Sequence, residues 1–172
     1  SAMVASWSGV AANSHRPKRA RLKISVNTEQ SISERRKWFA EHSDRVSGDW
    51  TADEGVVFTC PCCGYPTLDE RGGYDICCLC NWEDDGQDDP DADKVLGGPN
   101  KGYSLSQARI NFAKRLVMYS PADDPRIGGD DSVIELDAKQ AITAAFDAMQ
   151  TMTHEADSEL LWSAVTDNQR IL

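Results

Sequence analysis

Six cysteines lie in one stretch of the chain, in the clusters Cys60-Pro61-Cys62-Cys63-Gly64 and Cys77-Cys78-Leu79-Cys80. Pairing Cys60 with Cys63 and Cys77 with Cys80 gives two C-x2-C pairs separated by thirteen residues. This spacing lets a tight turn direct both sulfurs of a pair to one point, about 2.3 Å from a tetrahedral cation. The sequence therefore predicts a structural Zn²⁺ site of four thiolates, from Cys60, Cys63, Cys77 and Cys80.

Other chemistries use the same residues. A rubredoxin-like iron site has the same four-thiolate geometry, and Cys63-Gly64-Tyr65 is similar to its knuckle, so iron stays open as an alternative. Disulfides are disfavoured because a cytosolic chain keeps its thiols reduced. A thioredoxin-like redox pair is disfavoured because the chain lacks the βαβ pattern that accompanies one.

Cys62 and Cys78 are left over once the four ligands are assigned. If Cys62 were a ligand in place of a neighbouring cysteine, the one-residue spacing from Cys60 would strain the chelate. We expect both to be small buried side chains beside the metal. A reactive thiol is the alternative.

An acidic loop follows the second cluster. Seven of the eleven residues from Glu83 to Asp93 are acidic, and residues 49–172 hold 24 Asp/Glu against nine Lys/Arg, within a chain of net charge −10. Such a surface repels phosphate backbones and attracts basic proteins. We predict a partner-binding surface of Asp84, Asp85, Asp88 and Asp89. A solvated loop and a hard-cation site are alternatives, but the calcium-loop register is incomplete.

The positions of charged and apolar residues divide the chain into four segments. Residues 1–26 form a flexible basic arm, and residues 27–48 form an N-terminal helix that begins at the capping box Ser31-Ile32-Ser33-Glu34, with Trp38 and Phe39 as apolar anchors. Residues 55–119 form the zinc-ribbon domain with its helix, and residues 120–172 form a C-terminal helical segment.

Short extended pieces are predicted at Gly55 to Thr59, Thr67-Leu68 and Tyr74 to Ile76, with a turn at Arg71-Gly72-Gly73. Trp82 is expected to pack in the core over the second knuckle.

Two helices are predicted after the acidic loop. One is capped by Ser104 to Gln107 and bounded by Pro121, and the other is capped by Asp137 with Gln140. Apolar stripes follow both caps, at Leu105, Ala108, Phe112 and Leu116, and at Ala138, Ile142, Ala145, Phe146 and Met149. Leu160 to Val165 belong to a last helix or its continuation. The predicted fold class is α+β, a small zinc-ribbon β-hairpin unit with flanking helices.

A segment that crosses a bilayer needs about 18 consecutive apolar residues, and no stretch of the sequence approaches that length. Ser1-Ala2-Met3 is typical of a cleavage remnant before a start methionine, and no secretory signal follows it. We expect the cytoplasm and no membrane association.

The chain resembles the cysteine-rich CPCC domain family over about residues 58–116. The motifs are Cys60-Pro61-Cys62-Cys63-Gly64-Tyr65, Tyr74-Asp75-Ile76-Cys77, Cys80-Asn81-Trp82-Glu83-Asp84-Asp85, Gln87, Pro90-Asp91 and Ser104-Leu105-Ser106-Gln107-Ala108-Arg109-Ile110-Asn111-Phe112. Cys78 departs from the family, which more often has proline there. The resemblance implies a small zinc module, and some similar proteins look like immunity or interaction proteins of toxin systems.

We therefore predict a non-enzymatic, zinc-stabilised interaction protein of the immunity type that binds a basic toxin. His15, His42 and His154 are scattered, so the sequence identifies no nucleophile–base pair. One alternative is a nucleic-acid-associated ribbon that uses the basic arm and Arg35-Arg36-Lys37; the acidic body disfavours it. The other is a metal-dependent hydrolase that uses the acidic loop.

Overall fold

The computed structural model describes residues 28–42, 57–120, 131–152 and 157–172. Among these residues it has four helices and a two-stranded antiparallel sheet, in the order α1 Thr28–Glu41, β1 Phe58–Thr59, β2 Pro66–Leu68, α2 Leu105–Arg115, α3 Val133–Met149 and α4 Ser158–Gln169. Short 3-10 turns lie at Asp89–Asp91 and Gly98–Asn100. The predicted α+β class is confirmed. Several predicted features lie outside the described residues. They are the basic arm, the end of the first helix at Gly48, and the residues Gly55, Pro121, His15 and His154.

Each cysteine cluster lies at the turn of its own small hairpin. β1 pairs with β2 in the register Phe58 with Leu68 and Thr59 with Pro66 and encloses the first cluster. An isolated bridge joins Ile76 to Glu83 across the second cluster. The predicted strand at Thr67-Leu68 is thus confirmed. The segment that ends at Ile76 pairs with Glu83 through this bridge and with Asp84 through two backbone hydrogen bonds, but Tyr74, at φ 68°, is not extended as predicted.

The predicted start of the first helix is wrong. α1 begins at Thr28, so the expected capping box from Ser31 to Glu34 lies inside the helix. Ile32 is buried, and a Cβ placed on Gly64 would lie 3.3 Å from its Cγ2 atom. This turn of α1 therefore packs on the first knuckle from within the helix, and the serine spacing does not mark the start of α1.

The predicted cap of the third helix is also wrong. Ser132, not Asp137, caps α3: its hydroxyl accepts a hydrogen bond from the Glu135 amide, and the Glu135 carboxylate accepts one from the Ser132 amide. This reciprocal arrangement satisfies two amides that the first helical turn leaves unpaired. The helix before it is capped by Ser104, as predicted.

Phe146 joins the C-terminal helices to the first hairpin. Its ring stacks on Tyr65 with centroids 5.5 Å apart and meets Phe39 and Trp162 edge-on at 5.5 and 5.8 Å. The apolar stripe predicted for α3 is buried along its length. The described residues therefore share one core, with α1, α3 and α4 packed around the cysteine hairpins.

In the described part of the chain, the helices are too short or too polar to cross a membrane.

Candidate metal centre

The four cysteines assigned as ligands converge in the structure. Their sulfur atoms all lie within 4.8 Å of one another, with Cys60 to Cys80 and Cys63 to Cys77 each at 3.6 Å. Four ligands about 2.3 Å from a tetrahedral cation lie about 3.8 Å apart, so the spacing fits a thiolate-bound metal. It is too long for disulfides, and all six cysteines are free thiols. The four sulfurs form a candidate metal site, as the sequence predicted.

The first knuckle is closed by two backbone hydrogen bonds. The Cys60 amide donates to the Tyr65 carbonyl at 2.9 Å, and the Gly64 amide donates to the Cys60 carbonyl at 2.8 Å. Gly64 has φ 79°, in the left-handed region that glycine adopts without a steric penalty. The glycine lets the chain turn sharply enough to bring Cys63 beside Cys60.

The second knuckle repeats this pattern. The Cys77 amide donates to the Trp82 carbonyl and the Asn81 amide donates to the Cys77 carbonyl, both at 2.9 Å. Asn81 has φ 63° and holds the position that Gly64 holds in the first knuckle. Asparagine is one of the few residues that tolerate this conformation. The clusters are thus two copies of one turn, and Trp82 is buried as predicted.

Burial and hydrogen bonds shift the pKa values of the four ligand thiols in different directions. Burial raises the pKa of Cys60, Cys63 and Cys80, because a charged sulfur loses its hydration there. Burial acts on Cys77 in the same direction, but hydrogen bonds from the other three thiols and from Thr67 outweigh it and hold the pKa of Cys77 well below the ordinary value. A bound cation would supply the charge that keeps the remaining sulfurs deprotonated.

The two spare cysteines pack beside the site. Cys62 is fully buried. Cys78 is partly buried and receives a hydrogen bond from Gln169 at the end of α4, at 3.7 Å. Burial, with the nearby Cys77, raises the pKa of Cys78 to about 12. Cys62 is thus buried as expected, whereas Cys78 is only partly buried, and the role of each stays a prediction.

Arg35 of α1 contacts the first knuckle directly. Its Nη1 donates to the Cys63 carbonyl at 2.6 Å, and its guanidinium lies 4.0 Å from the centre of the Tyr65 ring. The Tyr65 hydroxyl donates to Asp147 of α3 at 2.8 Å. Helices before and after the hairpins thus both contact the loop that shapes the metal site.

Arg109 of α2 contacts the same loop from another side. Its Nε donates to the Pro61 carbonyl at 3.0 Å, and its Nη2 pairs with Asp89 at 2.5 Å. The Arg109 side chain is only 5% exposed, so the carboxylate of Asp89 balances a guanidinium charge that has little contact with water. Arg109 therefore connects the knuckle to the acidic loop.

Two of the four carboxylates predicted to bind a partner are held by arginine side chains; of these, Asp84 is buried and the Asp88 side chain is 31% exposed. Asp84 is fully buried and accepts hydrogen bonds from Arg71 Nε at 2.7 Å and from the Gly72 amide at 2.8 Å. Asp88 pairs with Arg36 and with Arg71. The inner carboxylates are thus matched by guanidinium groups, and Asp84 is not accessible to a partner in this conformation.

The other two carboxylates are Asp85 and Asp89. Asp85 is partly exposed and accepts hydrogen bonds from the Gln87 amide and from Asn100. Asp89 is 57% exposed while it pairs with Arg109. Their role in binding a partner remains a prediction.

Sequence reasoning missed the arginines that organise the loop: Arg36, Arg71 and Arg109. Arg35 and Arg36 were predicted to contact nucleic acid in the alternative hypothesis, but their guanidinium groups face Cys63 and Asp88. An excess of carboxylates in one loop indicates that basic side chains pair with some of them. The spacing of residues along the sequence does not identify which arginines or lysines do so.

Comparison with known proteins gives one match. Residues 58–120 match the family model described as Cysteine-rich CPCC, which confirms the resemblance seen in the motifs. The matched segment holds both hairpins, the acidic loop and α2. No curated protein and no solved structure matched the chain.

Proposed function

From a chain whose CPCC segment encloses a four-sulfur centre, we propose a zinc-stabilised, non-enzymatic module that binds a basic protein. The observation that supports it is the closure of the centre: all four ligand cysteines are fully buried. Catalytic zinc has three protein ligands and one position open to water or substrate, whereas structural zinc is closed by four. A centre without a path for substrate serves to hold the hairpins together.

Zinc is the metal we propose for this site. Four thiolates suit zinc and iron alike, and zinc adds no redox chemistry to a role that is purely structural. Elemental analysis of purified protein should give one zinc per chain. A rubredoxin-like iron centre would instead show strong visible absorption and iron at the same stoichiometry.

The partner surface that we propose is the exposed part of the acidic face. The turn with Asp69 and Glu70, both exposed, lies against the acidic loop, since a Cβ on Gly72 would be 3.6 Å from the Gly86 Cα atom. This turn therefore continues the surface that Asp85 and Asp89 begin. Exposed carboxylates accelerate encounter with a cationic partner and pair with its Arg and Lys side chains.

The partner class that we propose is a basic toxin, such as a nuclease whose cationic groove the carboxylates would cover. Net charge supports this class, because residues 49–172 hold 24 acidic against nine basic residues. A reducing compartment such as the cytoplasm suits six free thiols.

Affinity capture with matched charge variants tests the proposal. The wild-type chain is the bait, beside a variant with Asp69→Asn and Glu70→Gln, and a control with Asp157→Asn and Glu159→Gln at the start of α4. A specific basic partner should be recovered by the wild type and the control, weakly by the first variant, and less as salt rises. If the amount of partner recovered changed neither with salt nor with the Asp69 and Glu70 substitutions, the acidic face would not be the binding surface.

A further inference from the structure

Thr67 places a hydroxyl beside one of the four ligand sulfurs. Its Oγ1 lies 3.0 Å from the Cys77 sulfur, and it is the middle residue of β2, between the buried Pro66 and Leu68. β2 belongs to the hairpin of the first knuckle, whereas Cys77 belongs to the second. The contact therefore crosses from one half of the site to the other.

The Thr67 hydroxyl has one proton and two acceptors within reach. The second acceptor is the Tyr65 carbonyl, at 3.4 Å. A cysteine that binds a metal is a thiolate, and a hydrogen bond to a charged acceptor is about twice as strong as one between neutral groups. With metal bound, the shorter distance and the charge both direct the proton to sulfur.

From this geometry we infer that Thr67 is a positioning residue of the metal centre, whose hydroxyl donates to the metal-bound Cys77 thiolate. The bond fixes the sulfur where it completes the tetrahedron and spreads part of its negative charge. β2 sets the direction of the hydroxyl, because backbone pairing with β1 fixes this strand. The role concerns the metal alone and holds whatever partner the protein binds.

Metal-binding measurements on the full chain test the assignment. Thr67→Val keeps the shape and removes the hydroxyl, and we expect its Zn²⁺ affinity, measured by competition with a chromophoric chelator, to fall about 10- to 100-fold. Thr67→Ser restores the donor and should bind within about threefold of the wild type. Thr143→Val is the matched control, since that hydroxyl bonds to the Lys139 carbonyl on α3, and it should leave affinity unchanged.

A spectroscopic readout separates hydrogen bonding from packing. With Co²⁺ in place of Zn²⁺, the sulfur-to-metal charge-transfer band should move to lower energy in Thr67→Val, because a thiolate without its donor gives up electrons more readily. Thr67→Ser should keep the wild-type band. If the Thr67→Val variant does not fold with metal, Thr67→Ala, which has a smaller side chain and also lacks the hydroxyl, takes its place.

Two results would overturn the inference. One is a hydroxyl-free variant that binds Zn²⁺ as tightly as the wild type. The other is a Thr67→Ser variant as weak as Thr67→Val, which would show that the methyl group, and not the hydroxyl, supports the site.

Discussion

Arg36 of α1 and Asp88 of the acidic loop form a paired ion contact, with Nη1–Oδ1 at 2.6 Å and Nη2–Oδ2 at 2.8 Å. The planar guanidinium matches the carboxylate edge, an arrangement that adds direction to charge attraction. Arg71 Nη2 also donates to Asp88 Oδ2, at 2.9 Å. The loop is therefore fastened to the helix that precedes both knuckles and to the turn between them.

The Asp88 contact predicts an acid-sensitive contribution to stability. Burial alone would raise the pKa of Asp88, but hydrogen bonds from Arg36, the Asp89 amide and Arg71 outweigh it and lower the pKa below the ordinary value. The stabilisation is thus complete above the unfolded pKa of about 3.9 and is lost as pH falls towards the folded pKa. At neutral pH, Asp88→Asn should cost about 1–3 kcal/mol in the free energy of unfolding.

Urea unfolding at a series of pH values measures this contribution. The difference between wild type and Asp88→Asn should narrow below about pH 4, while loss of metal on acidification affects both chains alike. Asp69→Asn, at an exposed carboxylate, serves as the control. A wild-type-to-Asp88→Asn gap that stays constant down to pH 2 would count against the ion pair as its source.

Gly64 is predicted to be needed for its conformation and for the space it leaves to α1. Gly64→Ala places a Cβ at φ 79° and 3.3 Å from Ile32, whereas Gly86→Ala places one at φ 88° with only an ordinary contact, 3.9 Å from the Gly72 Cα atom. Both changes should cost about 1–2 kcal/mol for the left-handed backbone. Chemical denaturation should show a further loss for Gly64→Ala alone, and equal losses would mean that the contact with α1 is unimportant.

Phe146 is predicted to be the main attachment of the C-terminal helices. Phe146→Ala removes the ring that contacts Tyr65, Phe39 and Trp162 and should cost about 3–5 kcal/mol. Leu160→Ala, at a side chain 74% exposed on α4, should change stability by less than about 0.5 kcal/mol. Denaturant unfolding of metal-loaded protein checks both values. A Phe146→Ala chain as stable as Leu160→Ala would show that α3 and α4 are held elsewhere.

The ligand assignment predicts a sharp difference between neighbouring cysteines. Cys60→Ser or Cys80→Ser should lower the metal content well below one per chain and disrupt the hairpins, since metal binding contributes to folding. Cys62→Ser should keep the metal with a mild loss of stability. Elemental analysis and circular dichroism distinguish the variants, and loss of metal from Cys62→Ser alone would reverse the assignment.

Several local features were readable from sequence because they depend on short spacing. The apolar stripes predicted for α2 and α3 are buried except at Leu116, which is partly exposed and ends α2 in a left-handed conformation. The α3 cap is also readable, since Ser132 and Glu135 form the S-x-x-E pattern, which competes with the pattern of Asp137 and Gln140. The start of α1 is not, because the Ser31-to-Glu34 pattern lies inside the helix.

The four metal ligands followed from sequence alone, because a C-x2-C turn brings its two sulfurs together by local geometry and two such turns are needed to complete a tetrahedron. The tertiary structure alone decided what the charges do. Arg36 and Asp88 are 52 residues apart, and Arg109 and Asp89 are 20 apart. Guanidinium–carboxylate pairing depends on where helices and loops pack, and no short-range pattern encodes that, so the acidic loop proved to be part of the scaffold as well as its surface.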